Sequence, residues 1–262
     1  MFDKSWPVVV AHRGASSSHA ENTLEAFDGA VDVGADVVEL DVRLTADEVP
    51  VVMHDAVLSR TTDGSGWLHE RTLEELRHLD ASGGRGPRTR VPTLRETLQA
   101  LRGRIGVNLE LKNMPGEPSF DSPLERVAVQ SVALVEELDM GKDVLLSSFN
   151  WLTIERVRDL SPSLATGFLT IAGIDPEASL VYAASKGHGF VLPQAEALMG
   201  TGESFVRSAH ARGVRVGTWT VDRAEDVQLL FEMGVDAVAT NNPEMAVAIR
   251  DRFRAVRGSA QD

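Results

Sequence analysis

Residues 35–42 read ADVVELDV, an apolar run that contains two carboxylates set two positions apart. Branched residues such as valine favour strands, and a run this apolar is typical of a parallel strand covered on both faces. Because side chains alternate between the two faces of a strand, Glu39 and Asp41 point to the same side. Burying an uncompensated carboxylate costs several kcal/mol. We therefore expect a metal ion, a pair of cationic side chains or solvent at a strand end to compensate the two charges.

Comparable apolar runs recur along the chain and are separated by amphipathic stretches. Strands are predicted at residues 7–12, 35–42, 50–54, 104–112, 143–148, 164–170, 187–193, 213–221 and 235–240. Helices are predicted at residues 21–33, 93–102, 121–138, 150–160, 175–185, 201–212, 222–233 and 243–254. This alternation predicts right-handed βαβ units and a parallel sheet. Roughly eight such units fit an α/β fold of the (β/α)8 TIM barrel type better than an open doubly wound sheet.

No linker or change of composition divides the chain, so residues 1–262 are predicted to form a single barrel domain. Residues 56–92 differ from the rest because they are rich in Gly, Ser, Thr and Arg. We expect them to form a small insertion after the second barrel strand region, covering one barrel end as a lid. Near the end of the chain, Asp222 followed by Glu225 resembles a capping box at a helix start.

Charge and composition exclude several classes of function. The formal net charge is −13 and the isoelectric point about 5.0, which disfavours nucleic acid and anionic membranes as partners. The chain has no cysteine, so oxygen and nitrogen atoms must hold any metal. It shows neither a signal-peptide pattern nor a run of about 18 apolar residues. The sequence therefore predicts a soluble, cytoplasmic protein without stable membrane insertion, and it leaves the oligomeric state open.

Polar residues that end the predicted strands are the first candidates for chemistry, because the active face of a parallel barrel lies at the carboxyl ends of its strands. His12 and Arg13 end the first predicted strand. Glu39 and Asp41 end the second, and His54 ends the short strand that follows. We expect these side chains to converge on one face of the barrel.

The later strand NLELK adds three polar residues to this face. Asn108, Glu110 and Lys112 alternate with apolar residues and so point the same way. Together with Glu39 and Asp41, Glu110 provides three carboxylates without any sulfur ligand. Such ligands favour a hard divalent cation, so we expect one Mg²⁺ or Ca²⁺ as cofactor.

Two cations and two histidines complete a site that suits the cleavage of a phosphate ester. Arg13 can hold a phosphate with two parallel hydrogen bonds, and Lys112 can hold it as a point charge. His12 and His54, with an ordinary pKa of about 6.5, suit general acid and base catalysis. Two structural interpretations stay open: the cations can pair with the carboxylates without a metal, and His12 can be a hydrogen-bonded residue at a strand end.

Further residues near the strand ends have weaker signals. Trp219 lies near the end of the predicted strand at 213–221 and is interpreted as a wall of the substrate site. Glu21 favours the N-terminus of the first helix, and Asn22 can orient a ligand or His12. His188 falls at the start of a predicted strand, on the stability side of a barrel, and is interpreted as structural.

Several motifs occur in a characteristic order: HRG (12–14), ENTLEAF (21–27), ELDV (39–42), HD (54–55), LSRTTDGSG (58–66), ELK (110–112), SSF (147–149) and GVRVGTWTVD (213–222). In this order they resemble the glycerophosphodiester phosphodiesterase family, and the likeness covers nearly the whole chain. The resemblance implies a metal-dependent barrel enzyme that releases an alcohol and sn-glycerol 3-phosphate from a small-molecule glycerophosphodiester.

The resemblance also implies roles for individual residues. They are cation binding by Glu39, Asp41 and Glu110, acid and base catalysis by His12 and His54, and phosphate binding by Arg13 and Lys112. Asn108 joins Glu21 and Asn22 as a possible supporting residue. Two positions depart from the family, which often has Pro where this chain has Ala20 and often an acidic residue where this chain has Asn241.

The expected mechanism passes through a cyclic phosphate. One histidine takes the proton of the neighbouring glycerol hydroxyl, the other protonates the departing alcohol, and water then opens the ring. The sequence does not indicate which histidine begins as the base. Two other functions stay open: lysophospholipase D-like cleavage of lysolipids, and a non-catalytic barrel that binds a phosphate ligand. An amidohydrolase is disfavoured because too few histidines lie at strand ends to hold a transition metal.

Overall fold

The computed structural model describes residues 7–258, and residues 1–6 and 259–262 of the predicted domain lie outside the described part. Its strands are β1 (Val8–His12), β2 (Val37–Leu44), β3 (Pro50–Val52), β4 (Gly106–Leu111), β5 (Val144–Ser148), β6 (Ala165–Thr170), β7 (Phe190–Pro193), β8 (Arg215–Thr218) and β9 (Ala237–Thr240). Parallel pairing runs in the order β1-β9-β8-β7-β6-β5-β4-β2, and pairing of β1 with β2 closes the ring. The predicted TIM barrel is therefore confirmed.

Strand β3 lies outside this ring. It runs antiparallel to β2, with Pro50 opposite Leu44 and Val52 opposite Val42. The predicted strand at residues 50–54 is thus shorter, and it turns back from the barrel mouth. His54 was wrongly placed at the end of a barrel strand, because so short a strand carries too little pattern to indicate its direction.

The helices are α1 (Leu24–Asp32), α2 (Leu73–Arg77), α3 (Leu94–Leu101), α4 (Arg126–Glu137), α5 (Trp151–Leu160), α6 (Pro176–Lys186), α7 (Ala195–Met199), α8 (Glu203–Ala211), α9 (Ala224–Glu232) and α10 (Pro243–Gly258). The short helices α2 and α7 were not predicted. Helix α1 starts later than predicted because the hydroxyl of Thr23 accepts a hydrogen bond from the Ala26 backbone N–H and so caps it. The same hydroxyl donates to the carbonyl of Ala20, one of the two departures from the family.

Alternation along β2 and β4 separates the packing face from the chemical face. Val38, Leu40, Leu109 and their alternating neighbours are fully buried in an apolar cluster with α1, α3 and α4. Residues between them, including Glu39 and Glu110, line the barrel interior. The sheet therefore packs its helices with one face and forms the site with the other.

The segment at 56–92 has an apolar core of its own. Two short 3₁₀ turns, at Leu58–Arg60 and Leu68–Glu70, and helix α2 surround it. Its buried members are Val51, Met53, Leu58, Leu68, Leu76, Ala81 and Val91. This packing gives the segment a defined shape, and its action as a lid stays a prediction.

His188 precedes β7 at the barrel end opposite the site and is 2% exposed. Its Nδ1 lies 2.8 Å from the hydroxyl of Thr166. Burial, followed by the charge of Arg158, lowers the pKa of His188 to about 4. The ring therefore stays neutral in the folded chain under conditions that protonate it in the unfolded chain.

We expect the free energy of unfolding to fall as the pH is lowered from about 6.5 to about 4. The unfolded chain binds a proton at His188 in this range and the folded chain does not. This difference lowers the free energy of unfolding by at most about 3 kcal/mol. His188→Gln should remove this part of the pH dependence, as measured by urea unfolding at several pH values. The exposed His78→Gln is the matched control, and equal pH slopes in wild type and His188→Gln would contradict the prediction.

Candidate active site

The carboxyl ends of β1, β2 and β4 lie side by side and bring the predicted acidic residues together. In the strand register, His12 lies opposite Glu39, Glu39 opposite Asn108, and Asp41 opposite Glu110. One oxygen from each of the three carboxylates lies within 4.8 Å of the others, and all three residues are buried. The alternation predicted from the sequence therefore produces one acidic cluster.

The surroundings shift the pKa values of Glu39 and Asp41 in opposite directions. Burial raises the pKa of Glu39 well above its usual range, and the nearby charges of Asp41 and Glu110 raise it further. Burial also acts to raise the pKa of Asp41, but Lys112 and Arg13 outweigh it and hold that pKa well below its usual range. Glu39 is thus the carboxylate whose negative charge most needs another cation.

Lys112 and Arg13 give part of the compensation. The Lys112 ammonium contacts the Glu110 carboxylate and lies 2.9 Å from Asp41 Oδ1. Arg13 Nε lies 3.3 Å from Asp41 Oδ2, and the Arg13 backbone N–H donates to Glu39 Oε2 at 3.0 Å. Burial opposes both side-chain charges, yet the neighbouring carboxylates raise the pKa of each above its usual value. Ion pairs between the two cations and the carboxylates are therefore present.

Two cations facing three carboxylates leave one negative charge uncompensated within the cluster. Glu39 Oε1 is buried and has no hydrogen-bond partner among the described residues. A buried carboxylate oxygen without a partner is costly, whereas a hard divalent cation prefers such oxygens as ligands. Glu39, Asp41 and Glu110 therefore fit a hard divalent cation.

His12 is held at the end of β1 by the residue that departs from the family. Its Nδ1 lies 2.8 Å from Asn241 Oδ1, and its Nε2 lies 4.0 Å from Glu39 Oε2. Burial, followed by the charge of Arg13, lowers the pKa of His12. The ring is therefore neutral near pH 7, as a general base must be.

His54 reaches the site because the β2–β3 hairpin turns back along β2. The backbone N–H of Met53 donates to the Asp41 carbonyl at 2.9 Å, and Arg43 Nε donates to the His54 carbonyl at 2.7 Å. The His54 ring places Nδ1 2.6 Å from Asp55 Oδ1. A carboxylate accepts only, so His54 Nδ1 carries a proton and Nε2 is the ring nitrogen that this bond leaves free.

A chain of ion pairs joins the first loop to the 56–92 segment. Glu21 accepts from Arg13 at 2.9 Å and from both terminal nitrogens of Arg60, which also contacts Asp55. Burial raises the pKa of Glu21, but Arg60 and Arg13 outweigh burial, so this pKa lies below its usual value. Asp55 and Arg60 are supporting residues that the sequence analysis missed.

Two asparagines lie close to the carboxylates, and only Asn22 bonds to one of them. Asn22 donates to Asp41 Oδ2 at 2.8 Å, and its φ of 58° bends the loop so that its backbone N–H donates to the Arg13 carbonyl. Asn108 accepts a hydrogen bond from the hydroxyl of Ser147 at 2.9 Å. Asn22 therefore holds a carboxylate of the acidic cluster, whereas Asn108 lies opposite Glu39 in the strand register and is held by Ser147.

Trp219 follows β8 and lines the barrel interior with His12, Glu39 and Glu110. Its indole N–H donates to the Leu192 carbonyl at 2.9 Å, and its ring meets Phe149 edge to face at 5.3 Å. The interior cavity has a volume of about 60 Å³ and is apolar below the carboxylates. A second cavity of about 210 Å³ opens beside Lys112 and is lined by Arg43, Phe120 and other residues of the loops after β2 and β4.

The predicted capping box at Asp222 is wrong. Asp222 Oδ1 accepts from the Thr240 hydroxyl and from the Asn241 backbone N–H, and Oδ2 accepts from Asn241 Nδ2 at 2.6 Å. Helix α9 instead begins after Arg223 without a side-chain cap. Asp222 is thus a residue of the site that sequence patterns assigned to a helix end.

No helix in the described part of the chain has both the length and the hydropathy needed to cross a membrane. Residues 12–245 match the model of the glycerophosphoryl diester phosphodiesterase family. A glycerophosphodiester phosphodiesterase of Caldanaerobacter subterraneus subsp. tengcongensis is 34% identical over 249 residues, which cover 92% of this chain and 96% of that protein. One of Bacillus altitudinis is 32% identical over 253 residues, covering 94% of this chain and 99% of that protein.

Solved structures agree with this assignment. An Oleispira antarctica phosphodiesterase in complex with the product sn-glycerol-3-phosphate has a TM-score of 0.83 and 30% identity, covering 94% of this chain and 97% of that chain. A glycerophosphodiester phosphodiesterase of Agrobacterium tumefaciens has a TM-score of 0.77 and 27% identity, and the match covers 92% of this chain and 99% of that chain. The chain belongs to the glycerophosphoryl diester phosphodiesterase family, a family of hydrolases.

Proposed function

We propose that the chain hydrolyses glycerophosphodiesters to an alcohol and sn-glycerol 3-phosphate, with one bound Mg²⁺ or Ca²⁺ and with His12 and His54 as base and acid. The observation that carries the proposal is the buried cluster of Glu39, Asp41 and Glu110, with His12 opposite Glu39 and with His54 close enough for its charge to act on Asp41. The product bound by the structural relative supports the substrate class.

The cation would be held by the three carboxylates and would stabilise negative charge on the phosphoryl oxygens. Arg13 and Lys112 act on the same charge from the protein side, Arg13 by paired hydrogen bonds and Lys112 as a point charge. Because these groups are buried before substrate arrives, they need little reorganisation during the reaction.

The hydrogen-bond partners of the two histidines differ, and this difference assigns one ring as base and the other as acid. His12 donates from Nδ1 to a neutral amide and has a lowered pKa, so its Nε2 accepts the proton of the neighbouring glycerol hydroxyl. That oxygen attacks phosphorus and forms a cyclic phosphate. His54 donates from Nδ1 to the Asp55 carboxylate, so Nε2 is the atom that carries the acid proton in the proposed step. His54 gives this proton to the departing alcohol, and water opens the ring with the roles reversed.

Release of sn-glycerol 3-phosphate from glycerophosphocholine by the purified chain tests this function. We expect turnover with Mg²⁺ or Ca²⁺, none with EDTA, and recovery when excess metal is added back. Turnover that is insensitive to EDTA would contradict the metal assignment, and absence of turnover on every glycerophosphodiester would contradict the substrate class.

An exposed apolar rim favours lysophospholipase D-like cleavage as a second candidate. Strands β4, β5 and β6 are neighbours, so the loops at their carboxyl ends form one arc of the mouth. Apolar side chains on this arc are 37% to 60% exposed, namely Phe120, Leu124, Trp151, Leu152, Ile171 and Ile174. The opposite arc carries charged pairs such as Arg60 with Glu21. A mouth with one polar and one apolar side suits a lipid with a single acyl chain.

Trp151→Ser tests this candidate. If the rim holds an acyl chain, kcat/KM on a lysophosphatidylcholine should fall roughly tenfold or more, since a buried aromatic contact is worth more than about 1.4 kcal/mol. Rates on glycerophosphocholine should not change. Leu229→Ser, at a similarly exposed residue of α9, is the control. Equal effects of the two substitutions, or no lysolipid turnover, would contradict the candidate.

A further inference from the structure

The side chain of Asn241 lies between His12 and Asp222. Its Oδ1 is 2.8 Å from His12 Nδ1, and its Nδ2 donates to Asp222 Oδ2 at 2.6 Å. The Ser16 hydroxyl lies 3.0 Å from the same Oδ1 and also donates to the His12 carbonyl. The three side chains of Asp222, Asn241 and His12 therefore form one row of hydrogen bonds.

The chemistry of Asp222 sets the direction of this row. An ionised carboxylate only accepts hydrogen bonds, and Asp222 is already fixed by the Thr240 hydroxyl and by the Asn241 backbone N–H. The NH₂ end of the Asn241 amide must therefore face Asp222, which turns its carbonyl oxygen to His12. Because an amide oxygen only accepts, the proton of the neutral imidazole must lie on Nδ1.

We infer that Asn241, oriented by Asp222, is a positioning residue that holds His12 as the Nδ1–H tautomer with its Nε2 lone pair facing the acidic cluster. The inference rests on the proposed function of His12 as a base and adds the residues that make it one. A neutral amide fixes the proton without placing a formal negative charge against the ring.

The first test reads the tautomer directly by ¹⁵N NMR of histidine-labelled protein without metal or substrate. A His12→Asn sample identifies the His12 signals, and spectra are taken at a pH at which the ring is neutral. The wild type should show a protonated Nδ1 and an unprotonated Nε2. Asn241→Leu should move a large fraction of the proton to Nε2. A proton on Nε2 of the wild type, or an Asn241→Leu spectrum equal to wild type, would overturn the inference.

The second test is kinetic and uses glycerophosphocholine. Asn241→Leu should lower kcat by roughly 10- to 100-fold while KM is unchanged, a typical cost of removing a group that orients a catalytic residue. The double substitution Asp222→Asn with Asn241→Asp keeps an oxygen that accepts from His12. It also keeps a hydrogen bond between residues 222 and 241, with the donor now on residue 222. The double variant should therefore be more active than Asp222→Asn alone. Asn242→Ser, at the next residue, is the control. A fall in kcat for the control, or no recovery in the double variant, would overturn the inference.

The two tests separate the inference from the proposed function. If the wild type hydrolyses no glycerophosphodiester, the proposed function fails while the NMR result still reports the tautomer. If hydrolysis is observed and Nε2 carries the proton, the proposed function stands and the inference fails.

Discussion

His12→Gln is expected to lower kcat on glycerophosphocholine by roughly 10²- to 10⁴-fold, the usual contribution of a positioned base. Glutamine keeps a polar group at the end of β1 but cannot take a proton from the glycerol hydroxyl. His54→Gln should cost a similar factor, because the departing alcohol then leaves as an alkoxide. The two losses should not add in the double variant, since acid and base act in one step.

A diester of glycerol phosphate with 4-nitrophenol distinguishes the two histidines. Its leaving group departs without a proton, so His54→Gln should recover most of the rate of the first step, measured as the initial burst of 4-nitrophenol. His12→Gln should stay inactive, because attack on phosphorus still needs the base. His78→Gln, a surface histidine that is 76% exposed, serves as the control. Recovery by His12→Gln rather than His54→Gln would reverse the assignment of base and acid.

Glu39→Gln is expected to abolish both hydrolysis and stabilisation by metal. In the wild type, Mg²⁺ or Ca²⁺ at about 100 times its Kd should add about 2.7 kcal/mol to the free energy of unfolding, or roughly 5–10 °C in Tm. In Glu39→Gln the same metal should give almost no shift. Burial and two neighbouring carboxylates raise the pKa of Glu39, so its removal relieves repulsion. The metal-free variant should therefore be at least as stable as the metal-free wild type.

Thermal unfolding with and without metal measures this effect independently of turnover. Glu74→Gln removes the same charge from a side chain that is 83% exposed and should keep the metal shift. A normal metal shift in Glu39→Gln would show that the cation binds elsewhere. If metal-free Glu39→Gln were less stable than the metal-free wild type, the Glu39 charge would be stabilised by ion pairs and would not need a metal.

The parts of the site that lie on barrel strands could be predicted from the sequence. Period-two alternation fixes the common face of Glu39 and Asp41 in any strand register, and the same holds for Asn108, Glu110 and Lys112. Parallel pairing then brings the ends of β2 and β4 together. Local patterns decide these features, so no knowledge of distant contacts was needed.

The parts that depend on distant contacts could not be predicted. Asp222 fits a helix cap by sequence, but Thr240 and the Asn241 backbone, brought close by pairing of β8 with β9, give its carboxylate better partners. Arg60 lies in a loop without periodicity and meets Glu21, which is 39 residues away in the chain. Asp55, which contacts His54 Nδ1, was also missed, although its position next to His54 in the sequence was a local signal for this contact.

Closure of the barrel by β1 and β9 has a consequence for how the enzyme acquires activity during synthesis. His12 leaves the ribosome early, whereas Asn241 is made 229 residues later. Pairing of β2 with β4 is enough to bring the three carboxylates together. The hydrogen bond between Asn241 and His12 forms only when β9 pairs with β1. Pairing of such widely separated segments is intrinsically slow, since the whole intervening chain must first be ordered. The complete site therefore requires the closed ring, because the residue that holds His12 lies next to the last strand.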